Sequence, residues 1–223
     1  MNTDRALDEI TWFGHASFLI HDKLNDKNIY YLDPFDFKEK PKEPADIIFI
    51  THAHYDHFSP KDIEKILDID TILVGVNGCK GIRLPKERFL ITEPNKQFEL
   101  NGIKIRTVPA YNVKPERLNF HPKANKWVGY VLEINNAKIY HAGDTDFIPE
   151  MKNLGKLDIA MLPMGGTYTM DVEEAIEASN AIRAEITVPM HYRGLLKGNS
   201  EIAEKRFKAG VKGRVEILDE IAT

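Results

Sequence analysis

The chain has 223 residues, 43% hydrophobic and 29% charged, with a formal net charge of −4 at pH 7. Those values fit a globular protein with one sizeable core, and the interspersed charges leave no basic footprint for nucleic acid. Cys79 is the one cysteine, which excludes an intrachain disulfide and fits a reducing compartment. The first nine residues are polar, without an apolar signal core. No apolar run approaches the ~20 residues that span a bilayer. The expectation is a cytoplasmic protein with one domain over residues 1–223 and no membrane segment.

In chain order, residues 10–13 and 17–20 read as two strand pieces broken at Gly14, and 29–32 as a third ending at Asp33-Pro34. Residues 46–51 hold the run Ile47-Ile48-Phe49-Ile50, the pattern of a strand buried on both faces. Ser59-Pro60-Lys61-Asp62 is a helix start: Ser at the N-cap, Pro at the first position, an acid in the first turn. That helix is expected to run to about Leu67. A strand at 71–74 follows. Strands at 97–100 and 103–108 flank Asn101-Gly102, a hairpin signal because both turn residues tolerate positive φ. Residues 127–134 and 138–140 form a second hairpin around Asn135-Asn136-Ala137. A strand at 157–162 ends at Pro163. Asp171-Val172-Glu173-Glu174 reads as a capping box opening a helix to about Arg183. A strand at 186–188 delivers Pro189-Met190-His191, and a helix at 200–208 and a strand at 215–218 close the chain. Hairpins in the middle with strand-helix alternation around them predict an α/β (α+β) sandwich. Residues 111–126, with Pro115 and Pro122, form a long loop, a kind often functional in compact domains.

The chemistry concentrates after the buried strand, in Thr51-His52-Ala53-His54-Tyr55-Asp56-His57. Three of the eight histidines lie within six positions, beside an aspartate. That density points to metal ligation rather than a solvated loop. Imidazole suits zinc, iron, manganese or nickel, and carboxylate adds charge neutralisation. His52 and His54 alternate as strand-end residues do, and a turn can carry Asp56 and His57 to a second position. One loop can thus serve two neighbouring metals, unlike the helical His-Glu-x-x-His arrangement.

His-x-His-x-Asp-His after a buried strand resembles the signature of the metallo-β-lactamase-fold hydrolases. His141-Ala142-Gly143-Asp144-Thr145 resembles their Gly-Asp-Thr segment, and Pro189-Met190-His191-Tyr192 their late strand end carrying the last His. Trp12-Phe13-Gly14-His15-Ala16-Ser17 and Asp33-Pro34 are similar to the opening of one subgroup. It includes the ascorbate-6-phosphate lactonase-like proteins and the N-acylphosphatidylethanolamine phospholipase D type. The resemblance spans residues 10–192. It implies a four-layer αββα sandwich of two mixed sheets, with His52 and His54 in a first metal site. It places Asp56, His57 and His191 in a second, with Asp144 between. It implies one or two divalent ions, zinc foremost, with manganese, nickel or iron as alternatives. A His is expected near Pro109-Ala110-Tyr111-Asn112, and Asn112 stands there. An amide oxygen is a weaker zinc ligand than imidazole. The expectation carried forward is a weakened first site. The rivals are His121 as replacement ligand and a shifted local match.

Around these, His15 is a candidate contact to metal ligands or substrate. Asp33 is expected to orient a ligand His, and His141 to be structural or supporting. Tyr111 and Tyr192, with Arg117, Lys123 and Arg193, are candidates to line the cleft and to suit an anionic small-molecule substrate. A homo-oligomer is compatible with the sequence. The expected chemistry is metal-assisted hydrolysis of a lactone or phosphodiester, with Asp56 and Asp144 orienting the attacking water and Asp56 taking its proton. Two alternatives stand beside it: a non-catalytic metal binder, motivated by Asn112, and a di-iron redox protein. The resemblance speaks against the second, because His54 stands where such proteins usually have Glu.

Overall fold

Ile47, Ile48, Phe49 and Ile50 are fully buried, because the strand they build is interior to a sheet covered on both faces. The computed structural model describes residues 3–24 and 28–221. The first sheet contains β1 (Ile10–Trp12), β2 (Phe18–Asp22), β3 (Asn28–Leu32), β4 (Ile47–Phe49), β5 (Ile72–Val76) and β6 (Phe89–Thr92), in that spatial order. Its first pairings are antiparallel, and β3 to β6 are parallel. The second sheet contains β7 (Gln97–Leu100), β8 (Ile103–Pro109), β9 (Val128–Ile134), β10 (Ala137–His141), β11 (Ile159–Pro163), β12 (Ile186–Met190) and β13 (Arg214–Val215), again in sequential order. It too is antiparallel up to β10 and parallel afterwards. Both sheets are therefore mixed, each with a hairpin half and a crossover half.

The crossover halves require helices. After α1 (Thr3–Leu7), α2 (Pro60–Ile66) links β4 to β5. Ser59 caps it, its hydroxyl accepting from Asp62 N, with Pro60 in the first turn. In the second half α3 (Val172–Ile182) starts at a full capping box: the Asp171 side chain accepts from Glu174 N, and the Glu174 carboxylate from Asp171 N. It packs on β11 and on α5 (Ser200–Gly210), whose Phe207 is buried. The short α4 (Arg193–Leu196) precedes α5. The result is the αββα sandwich expected. Among the described residues no helix is long and apolar enough to cross a membrane.

Phe49 and Tyr130 join the sheets, their ring centroids 5.2 Å apart. The Tyr130 hydroxyl donates to Ile50 O (2.9 Å) and Val128 N donates to Thr51 O (3.1 Å). These contacts tie β9 to the exit of β4, where the His-rich loop begins. Gly129 is required there: a Cβ would lie 2.7 Å from the carbonyl oxygens of His141 and Ala142.

Some boundaries differ from expectation. The second hairpin turns on Asn135-Asn136 alone, both at positive φ, and Ala137 already pairs with Ile134. The strand expected at 215–218 is the two-residue β13 (Arg214–Val215). β6, α1 and α4 were not anticipated, because each is only four or five residues long and shows no clear period.

Candidate metal centre

Asp33, His52–His57, Asp144 and His191 all follow the carboxyl ends of strands, β3, β4, β10 and β12, where open α/β sheets place their ligands. Asp33 is the organiser on the first sheet. Its buried carboxylate accepts from Thr51 N (2.8 Å), Thr51 Oγ1 (2.6 Å) and His57 Nδ1 (2.8 Å). The Thr51 proton is thereby spent, so its oxygen accepts from His52 Nδ1 at 3.0 Å. With Nδ1 committed in this way, both rings turn Nε2 toward the rest of the cluster. His52 Nε2 lies 3.1 Å from His54 Nδ1.

The second sheet adds Asp144 at the centre. Its Oδ1 is 3.3 Å from His57 Nε2; its Oδ2 is 3.0 Å from His191 Nε2 and 3.2 Å from His121 Nε2. His15 Nε2 meets Asp56 Oδ2 at 3.2 Å, and the His15 ring packs 3.8 Å from that of His191. His15, Asp33 and His191 hold positive φ (50°, 43° and 56°). Such strained backbone costs of order 1–3 kcal/mol per residue and clusters at functional sites.

Among the described residues three groups have donor atoms within 4.8 Å of one another: His52/His54/His121, His15/Asp56/His57/His191, and Asp33/His52/His57, the last sharing a histidine with each of the others. Asp144 touches members of the first two. Despite these short separations, His57 Nε2, His121 Nε2, Asp144 Oδ1 and both ring nitrogens of His191 are buried without an aligned hydrogen bond among the described residues. Buried polar atoms are rarely left so. A convergent set of imidazole nitrogens and carboxylate oxygens fits a divalent ion.

A family model for the β-lactamase superfamily domain matches residues 9–191. The chain belongs to that superfamily. It also belongs to the UPF0173 metal-dependent hydrolase family. It is 35% identical over 229 residues to a UPF0173 metal-dependent hydrolase of Thermoplasma acidophilum, covering 96% of each chain. It is 31% identical to one of Methanosarcina mazei, covering 94% of this chain and 95% of that one. Among solved structures it is similar to a candidate metal-dependent hydrolase of Parabacteroides distasonis. The identity is 33%, the TM-score 0.76, and the coverage 95% of this chain and 92% of the other.

In this UPF0173 chain His121, from the loop after β8, joins His52 and His54 in one group of possible metal donors. Asn112 Oδ1 accepts from His121 Nδ1 (2.9 Å) and His121 N (3.0 Å). The sequence left the two residues as rivals because they lie nine positions apart and only the folded loop sets their relation. Trp127, read only as a strand residue, walls this group: its ring lies 4.9 Å from His52, 4.7 Å from His54 and 5.6 Å from His121.

Several candidates for the cleft point elsewhere. Tyr192 is buried, stacked on Trp12 and bonded to Glu204. Arg193 covers Trp12 and pairs with Glu204. The Tyr111 hydroxyl donates to Glu150 and accepts from Lys123. Arg117 is buried against Asp146 and Glu174. Arg117 and Arg193 are thus paired with internal carboxylates, while Lys123 is exposed beside Tyr111 and Glu150. His141 is structural, its Nε2 donating to Ala16 O at 2.9 Å.

The electrostatics follow from burial and crowding. Burial pushes the His52 imidazole well below its ordinary value; burial and then His121 lower His54. Burial and His191 bring His15 down to about 4. Burial alone would raise the Asp144 carboxyl, but His191 and His57 hold it well below the carboxylate range. Burial opposes the charge on Asp56 as well, yet the His15 hydrogen bond helps bring it down to about 2. Burial would lower the His57 imidazole, but Asp144 and Asp33 raise it well above its ordinary value, and ligating a metal requires it to give up that proton.

Proposed function

We propose that this protein hydrolyses an ester-type bond of a small molecule, a lactone or phosphodiester, at a centre for two divalent ions, zinc foremost. His52, His54 and His121 would hold one ion; Asp56, His57 and His191 the other; Asp144 would lie between. The observation that carries this reading is the set of buried, unaligned nitrogens converging on Asp144. When bound, a divalent ion supplies Lewis acidity, acidifying water toward neutrality and polarising a carbonyl or phosphoryl oxygen.

The chain's own groups do the rest. Asp56 is half-buried at the open side of the cluster, placed to accept the proton of the attacking water. Its low pKa keeps it ionised for that task. His15 holds its carboxylate in place. Asp33 and Thr51 fix the rings of His57 and His52, and Trp127 excludes water from the rear of the first group. Water oxygen attacks the acyl carbon or phosphorus and its proton passes to Asp56; as the bond to the leaving oxygen breaks, Asp56 returns that proton to it and is ionised again.

The test is metal analysis of the purified protein with turnover on esters, lactones, phosphodiesters and thioesters. The expected result is up to two ions per chain and activity on an ester class. Asp56→Asn is expected to lower kcat by about 10²-fold or more, the range of general-base contributions. His121→Ala is expected to lose the ion of the first group. Bound metal with no turnover on any of the panel would instead mean a metal binder, and full metal content in His121→Ala would remove His121 from the ligand set.

A further inference from the structure

Asp146 is fully buried two residues beyond Asp144. Its carboxylate accepts from Asn112 Nδ2 (3.0 Å), Val113 N (2.8 Å) and Lys114 N (3.0 Å), and it pairs with the Arg117 guanidinium, whose Nε lies 3.2 Å away without an aligned hydrogen bond. Arg117, itself buried, is anchored by Thr169 O and by both oxygens of Glu174 on α3. A carboxylate paired with a guanidinium offers acceptors only. The Asn112 amide must therefore turn its NH2 toward Asp146, and its second amide proton goes to Tyr168 O at 3.0 Å. An amide orientation is normally ambiguous; here two acceptors on one side remove the choice.

The consequence reaches the metal centre. With its NH2 committed, Asn112 presents Oδ1 to His121, where it accepts from Nδ1 (2.9 Å). That nitrogen must carry the proton, which leaves Nε2 with a free lone pair facing Asp144. We infer that Asp146, backed by Arg117, is a positioning residue that sets the His121 tautomer through the Asn112 amide. Its bearing on metal affinity rests on the ligand assignment proposed above; the tautomer relay does not. The relay also accounts for an amide at the position where an imidazole was expected: Asn112 serves His121 instead of ligating.

Asp146→Asn separates the relay from mere packing. One carbonyl oxygen cannot serve three donors and the Arg117 guanidinium. If it takes the Val113 and Lys114 amides, its NH2 opposes the NH2 of Asn112. Rotating the Asn112 amide relieves this at the expense of its bonds to Tyr168 O and from His121 N, and it turns NH2 toward His121 Nδ1, which selects the Nε2–H tautomer. Histidine-labelled protein with zinc added, read by long-range proton–nitrogen NMR, reports the tautomer directly. The expected result is Nδ1–H in the wild type and Nε2–H gained in Asp146→Asn, with zinc affinity about tenfold weaker or worse. The double variant Asn112→Asp/Asp146→Asn restores an acceptor at 112 and is expected to regain Nδ1–H. A wild type carrying Nε2–H would overturn the relay. So would a folded Asp146→Asn that keeps Nδ1–H, whatever its zinc affinity. Nδ1–H in a wild type that takes up no zinc would support the relay and sink the metal centre, so the two readings fail separately.

Discussion

Asp33 shows how much one side chain can hold. It has no exposure, sits at φ 43°, and receives three hydrogen bonds from Thr51 and His57. Removing it strands those donors in the interior, and breaking a buried, paired charge costs roughly 3–5 kcal/mol. It also frees the tautomers of His52 and His57, and loss of such outer partners typically costs about 10–100-fold in metal affinity. Asp33→Ala is therefore expected to lower both the denaturation midpoint and zinc affinity, checked by urea melts and competition titration. A variant with lower stability but unchanged affinity would show that Asp33 braces the fold without tuning the ligands. At this scale the site was partly legible. His52, His54, Asp56 and His57 stand together in the sequence, and Asp144 and His191 sit at recognisable strand ends. The choice between Asn112 and His121 was not legible, because it depends on which way one amide faces, and that is decided by Asp146 and Arg117.

Elements constrain the same loop from outside. Glu174 has two tasks at the start of α3: its carboxylate closes the capping box on Asp171 N, and it pairs with Arg117 and Lys114 of the loop at 111–126. Burial would raise its pKa, but the bonds from Arg117 and Lys114 lower it. A folded pKa below the unfolded one means the stabilisation is present above the unfolded value, about 4.3. It is lost as pH falls through the folded value. Glu174→Gln keeps a capping acceptor and removes only the charge. It is expected to be less stable than the wild type at pH 7, with the difference shrinking below about pH 4. Urea midpoints measured from pH 7 to pH 3 check this, and a constant difference at all pH values would refute it. The capping box was visible in the sequence because all its partners are local. The ion pairs linking it to residue 117 join positions 57 apart, beyond what local pattern reveals. β6 was missed because its apolar run is only four residues long and does not alternate, Ile91 being exposed and Phe89 and Leu90 only partly buried.

For the molecule as a whole, the site is a seam. His15, Asp33 and residues 52–57 come from the first sheet and its loops, and His121, Asp144 and His191 from the second. Protein contacts already join the sheets there through Tyr130 and Val128. Ions coordinated from both sides would add a crosslink that the unfolded chain cannot form, so binding free energy becomes folding free energy. At a free metal concentration of 100 times Kd the gain is about 2.7 kcal/mol per site. For a chain of this length each kcal/mol moves Tm by roughly 2–4 °C. Stripping the protein with a chelator is therefore expected to lower Tm by roughly 5–10 °C per site, and zinc should restore it in a concentration-dependent way. His121→Ala and His57→Ala, which each remove a donor from a different group, should respond differently. Each should retain the zinc-dependent shift belonging to the other group. A Tm indifferent to chelator and to added zinc, in protein whose melting is reversible, would mean that the two sheets are held by Phe49, Tyr130 and the surrounding core without help from a metal.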